Sequence, residues 1–207
     1  MRPVSVVTLL LAPAAAIDLW ITARFFTGLD LSVVASCCSV QLDAGAVGSA
    51  GYVSGPRVLV TALSVLAVGV AIAVASLAAR RPSSARVFFA GCISLAALPL
   101  AVGAAVLEVA PHAYEAPSHA CPFCLLRADV WGLGYPLFGA MFLAVTWSFG
   151  AGVGGLLARA SGASPEWEAF ARSRLRREMF AWGVVLALGA LPVVRYAVLS
   201  GGAPLFR

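Results

Sequence analysis

Apolar residues run through this chain in long blocks, not in the narrow stripes of surface helices. A membrane-crossing helix needs about 20 mostly apolar residues, and five stretches qualify: 4–26, 58–79, 87–109, 128–157 and 179–199. The first contains Asp18 and Arg24. The third contains Pro99, where a kink is expected. The fourth is long enough to tilt or to break at its glycines. This pattern predicts an all-α fold, a polytopic membrane helix bundle with about five transmembrane helices that form a single transmembrane domain over residues 1–207.

The polar blocks have their own logic. In "SPEWEAFARSRLRRE" (164–178), Ser164 suits an N-cap and Pro165 the first helical turn, while Glu166 and Glu168 complement the helix dipole. Arginines follow on later turns, so an interfacial amphipathic helix leading into the fifth span is expected, with binding of a partner as the alternative. "GAGVGG" (150–155) contains one GxxxG spacing; a flexible end of the fourth span is expected in preference to a dimerisation motif.

Composition supports the membrane assignment. The chain is 61% hydrophobic and 11% charged, against the roughly 25% charged residues of soluble domains. All fourteen basic residues are arginine, and the net charge is +5. The charge is concentrated in two short loops, which points to topology and away from nucleic-acid binding. Loop 80–86 holds three arginines and loop 158–178 holds five, whereas loop 27–56 holds none and loop 110–127 only Arg127. The positive-inside rule makes the arginine loops cytoplasmic. The expected location is therefore a bacterial-type plasma membrane, multi-pass, with the N-terminus inside and the cysteine loops outside. The opening "MRPVSVVTLLLAPAAA" also has the features of a cleavable signal peptide, but the apolar run continues to Phe26, which favours a retained helix. Either way loop 27–56 lies outside.

That placement matters because of the cysteines. Cys37 and Cys38 lie in loop 27–56, and Cys121 and Cys124 in "HACPFC" at the start of the fourth span. Both pairs fall on the outer side, where disulfides persist. In the CPFC pair, Cys121 is expected at an N-cap with Pro122 at the first helical position. Unsatisfied N–H groups and the helix dipole would then favour a thiolate on Cys121, with Arg127 adding positive charge. The i, i+3 spacing lets Cys124 close back onto Cys121. Cys37 and Cys38 are adjacent, and neighbouring Cα atoms about 3.8 Å apart are too close for an unstrained disulfide. One of them is therefore expected to exchange with Cys121 or Cys124 through a mixed disulfide. Two small apolar residues at a helix end is the plainer alternative. Cys92 sits alone in the third span and reads as a packed small hydrophobe. His119 can serve as a base, as a cation that favours the thiolate, as a metal ligand, or as a plain loop histidine; His112 carries a weaker signal. Asp18 and Arg24 are intramembrane charges, though Arg24 can snorkel outward.

An outer-loop cysteine pair after the first helix, a CxxC at the outer start of the fourth, and a fifth helix that brings the C-terminus outside together resemble the vitamin K epoxide reductase family, in particular its bacterial disulfide-forming members. The resemblance implies that Cys121 and Cys124 are the pair beside a membrane quinone, and that Cys37 and Cys38 shuttle electrons from substrate thiols. The related disulfide-bond formation protein B carries its CxxC in the first outer loop, so the order here fits the former family better. The chain departs from the family pattern in the adjacency of its loop cysteines and in lacking a thioredoxin domain after the fifth span. A separate thioredoxin-like or thiol partner on the outer side is therefore expected. For the quinone, Arg127, Trp131 and Tyr135 are the expected contacts; Phe138 adds flat apolar surface, Asp129 is a second polar candidate, and an aromatic belt explains Trp131 and Tyr135 equally well.

Two further functions compete with a membrane thiol–disulfide oxidoreductase. Cys37, Cys38, His119, Cys121 and Cys124 would suit copper, zinc or mercury, since thiolates select soft ions. Bacterial mercury transporters carry a comparable Cys-Cys, but their second pair faces the cytoplasm. Alternatively, fixed disulfides would staple the two outer loops of a structural membrane subunit.

Overall fold

A computed structural model describes Ala16, Ile17, Trp20, Ile21, Arg24 and residues 50–117, 119–161 and 165–206. The chain divides into two units, Met1–Ala44 and Gly45–Arg207. In the first unit the five described residues are helical, and the Arg24 guanidinium lies 5.3 Å from the centre of the Trp20 ring. Asp18 and the Cys37–Cys38 pair lie outside the described residues.

The second unit is helical throughout its described elements. Helix α1 spans Ala50–Arg80 and α2 spans Ser84–Ala104. A π-helical turn, Ala105–Val109, joins α2 to the short α3, Ala110–Tyr114. Two 3₁₀ turns follow, Pro122–Leu126 and Ala128–Val130, before α4, Gly134–Ser161, and α5, Pro165–Leu199. Among the described residues, four segments are long and apolar enough to cross a membrane: Arg57–Arg80, Ser84–Tyr114, Gly134–Leu157 and Glu166–Leu199; the expected first span, 4–26, lies largely outside those residues. The chain is thus a multi-pass, all-α membrane protein.

Several boundaries differ from the sequence pattern, each for a local reason. The third span runs past 109 to Tyr114 because the π turn carries the helix through Glu108. The fourth begins at Gly134, not at 128. Trp131 and Gly132 adopt left-handed φ of 57° and 60°, which a helix cannot contain. Gly134 then packs against Leu125, where an added Cβ would meet the Leu125 carbonyl carbon at 2.9 Å. The break at the glycines of "WGLGYP" is therefore built from one positive φ and one close approach. At the other end, 165–178 is continuous with the fifth span. Its Ala171 and Leu175 are fully buried against Ala75 and Val87, so this half of α5 packs on the bundle and does not lie along a bilayer surface.

Between helices in lipid, association rests on close packing and hydrogen bonds more than on apolar burial. The interior here is accordingly rich in alanine: Ala71, Ala97, Ala144 and Ala181 are among its buried residues. α2 and α4 approach through a reciprocal pair of glycines. A Cβ on Gly91 would meet the Phe149 backbone at 2.9 Å, and one on Gly152 would meet the Phe88 backbone at 2.8 Å. Gly155 faces the Trp167 indole. Gly152 and Gly155 of "GAGVGG" are thus packing points inside a continuous helix. Trp182, fully buried, donates its indole N–H to Ser94 Oγ at 2.9 Å. Ser148 and Glu178 are buried at the same level, where α2, α4 and α5 meet.

Candidate functional site

The CPFC segment lies between the end of α3 and the start of α4. Cys121 is the N-cap of the first 3₁₀ turn with extended backbone (φ −112°, ψ 112°), and Pro122 follows at the first helical position. The expected cap geometry is therefore present, but on a five-residue turn separate from the spanning helix. Such a turn sums few peptide dipoles, so thiolate stabilisation by a long macrodipole does not operate here. Cys121 is partly buried and Cys124 almost completely, at 5% exposure. Cys92 is half-buried on α2.

Four side chains surround this turn. The Tyr114 hydroxyl sits 2.8 Å from the Cys124 carbonyl oxygen, to which it donates, and 3.3 Å from Asp129 Oδ1. The phenol ring stacks on His119, with centroids 4.1 Å apart and an interplanar angle of 25°. Arg127 Nε lies 3.4 Å from Asp129 Oδ2 in an exposed ion pair. His119 Nε2 is buried and makes no hydrogen bond to the described protein groups. Burial, followed by the positive charge of Arg127, holds the His119 pKa below its ordinary value, against an opposing effect of Asp129. That direction favours the neutral imidazole.

A second polar group at the same end of the bundle carries no motif. Arg57, at the start of the α1 membrane segment, pairs with Glu108 of the π turn at 2.6 Å. The guanidinium also lies 3.6 Å from the centre of the Phe206 ring. His112 Nδ1 is 2.8 Å from the Glu108 carbonyl oxygen, and its ring meets Tyr196 and Phe206 edge-on. His112 and Tyr114, two residues apart on α3, point to roughly opposite sides. One serves this clamp and the other the cysteine turn. Sequence reasoning passed over Arg57 and Glu108 and undervalued His112. The available signal was a lone acid at the end of one apolar block and a lone base at the start of another.

The remaining expected contacts are on the surface. Arg127, Trp131 and Tyr135 are 66%, 71% and 67% exposed. Trp131 lies under the Arg195 guanidinium at 5.1 Å, and Arg195 is 3.6 Å from Glu115. The cleft beside Trp131 and Asp129 measures only about 20 Å³, the room of a water or two. A larger cavity of about 240 Å³ lies inside the bundle, lined by Val68, Ala101, Ala105, Leu137 and Val185, with Glu108 among its walls. Neither thiol lines it. Among the described residues, neither cavity encloses a quinone ring beside Cys121 and Cys124. Among the described residues, no three His, Cys, Asp or Glu side chains converge as a metal-binding group; the loop cysteines of that reading lie outside them.

No family model matches this chain, and no curated protein or solved structure does.

Proposed function

We propose that this protein is a membrane thiol–disulfide oxidoreductase whose reacting pair is Cys121 and Cys124. The observation that carries it is the asymmetry of the pair: a partly accessible thiol at the mouth of a 3₁₀ turn, with a shielded thiol one turn later. Cys121 attacks a partner disulfide as the thiolate. This forms a mixed disulfide and releases one partner thiol. Cys124 then attacks the Cys121 sulfur, closing the Cys121–Cys124 disulfide and releasing the second partner thiol. Two electrons pass to the partner, and the same steps in reverse return them. Cys121 loses its proton to solvent as the thiolate forms. Cys37 or Cys38 supplies the internal mixed disulfide, and a thioredoxin-like protein on the outer side is the external partner. This follows the pattern of the vitamin K epoxide reductase family, in which a quinone is the terminal acceptor. Among the described residues, Arg127, Trp131 and Tyr135 leave a ring unenclosed, so the steps proposed are those between thiols and disulfides. The arginine loops face the cytoplasm of a plasma membrane and the CPFC turn faces out.

Acid-quenched thiol trapping in native membranes, with mass mapping of all five cysteines, tests the assignment. Cys124→Ser is expected to accumulate a mixed disulfide on Cys121, and Cys121→Ser to accumulate none on Cys124. A linkage that turns over with quinone supply would restore the quinone to the scheme. Thiols that stay reduced and become alkylatable only after a chelator would replace the oxidoreductase with a soft-metal site. A fully oxidised set that ignores reductant would leave a structural staple.

A further inference from the structure

At the end of the bundle opposite the CPFC turn, the end of α1 and the third to fifth turns of α5 line an open concavity of about 390 Å³. Ligand sites typically measure about 300–1,000 Å³. Its walls are Ser76, Ala79, Arg80, Arg172, Arg176 and Met179. Three arginines therefore line one cavity, brought together from segments more than ninety residues apart. Arg172 and Arg176 are four apart on one face of α5, and Arg80 ends α1.

A topological role for these arginines requires only that they lie on the correct side of the membrane. It does not require them to converge. One of them is held in place: Arg172 Nε–H donates to the Ala79 carbonyl at 3.3 Å. That bond satisfies one of the unpaired carbonyls at the end of α1. A guanidinium carries five N–H donors, so the bond leaves four for a ligand. None of the three arginines pairs with a carboxylate among the described residues. The acid nearest in sequence, Glu178, is fully buried in the bundle and is not part of the wall. Three unneutralised guanidiniums around an open cavity are suited to a group with several anionic oxygens at short spacing, and Arg matches phosphate geometry with paired N–H donors.

We infer that this concavity binds the phosphate of an acidic phospholipid headgroup. A phospholipid is favoured over a soluble anion because the walls combine the guanidiniums with the apolar Ala79 and Met179, at the end of helices that cross the bilayer. Basic pockets between membrane helices recognise acidic headgroups in this manner.

The purified full chain in neutral detergent is titrated with phosphatidylglycerol, with phosphatidylcholine and with inorganic phosphate, and binding is read by native mass spectrometry and by the shift in thermal midpoint. R80Q/R176Q removes two wall arginines while keeping the Arg172–Ala79 bond. R174Q/R177Q removes the same charge from the same end without touching the cavity wall. Phosphatidylglycerol affinity is expected to fall roughly 10–30-fold in R80Q/R176Q and by less than about threefold in R174Q/R177Q. Equal losses in the two variants, or equal binding of phosphatidylcholine, would overturn the site. Inorganic phosphate that binds with comparable affinity and displaces the lipid would assign the pocket to a soluble phosphate and overturn the lipid assignment.

Discussion

At the residue scale, His119 shows how a side chain's surroundings choose among roles that its identity leaves open. Its imidazole stacks on Tyr114 and is partly desolvated near Arg127, and both burial and that charge oppose protonation. The consequence for stability has a definite sign. In the unfolded chain the imidazole titrates near ~6.5, while in the folded protein it titrates lower. Below ~6.5 the unfolded state therefore binds its proton first, and stability falls as pH drops through that value until the folded form is protonated too. His119→Phe keeps the aromatic stack and removes the titration. Thermal midpoints measured from pH 7.5 down to 5.5 are expected to fall more steeply for the wild type than for the variant; parallel curves would remove His119 as the cause. The same residue explains why CPFC alone was an incomplete guide. The sequence placed a histidine two positions from Cys121, but only the Tyr114 stack and the neighbouring guanidinium decide its charge.

At the scale of elements, the spans were legible because a bilayer demands long apolar blocks, and such blocks need no tertiary information to be recognised. Their ends were less so. The 128–133 segment reads as the start of a helix until Trp131 and Gly132 are seen in left-handed backbone. The π turn at Ala105–Val109 leaves no trace in a hydropathy pattern, yet it carries Glu108 to Arg57. Glycine roles were likewise hidden: within "GAGVGG", Gly152 meets the Phe88 backbone while Gly150 meets nothing within 4 Å. Gly152→Ala is accordingly expected to destabilise the bundle by about 1–3 kcal/mol. Gly150→Ala should leave the thermal midpoint unchanged or slightly raised, since it restores helix propensity. Equal effects of the two substitutions in detergent-solubilised protein would show that the α2–α4 crossing does not depend on that close approach.

For the whole molecule, the arginine distribution and the cysteine loops make one joint statement: the two ends of the bundle differ in chemistry. Arg80, Arg172 and Arg176 converge at one end, and the CPFC turn and the Arg57–Glu108 clamp occupy the other. The positive-inside rule predicts an orientation from that polarity, and the prediction is open to direct measurement. In a cysteine-free background, Ala128→Cys and Ser173→Cys, both at exposed positions, report on opposite ends. An impermeant maleimide added to intact cells is expected to label the first and to reach the second only after permeabilisation. The reverse pattern would put the reacting thiols in the cytosol and remove the basis for an outer disulfide partner.

The sequence by itself determined the class of fold, the number and approximate position of the long helices, the polarity of the two ends and the presence of a CxxC pair. All of these follow from local composition, because lipid solvates a helix according to its own side chains. Only the tertiary structure decided that the CPFC turn stands apart from the helix after it. It alone assembled Tyr114, His119, Arg127 and Asp129 around that turn, and gathered three distant arginines about one cavity. Those arrangements depend on where helices cross, and crossings are set by packing between residues far apart in the chain, which no local pattern encodes.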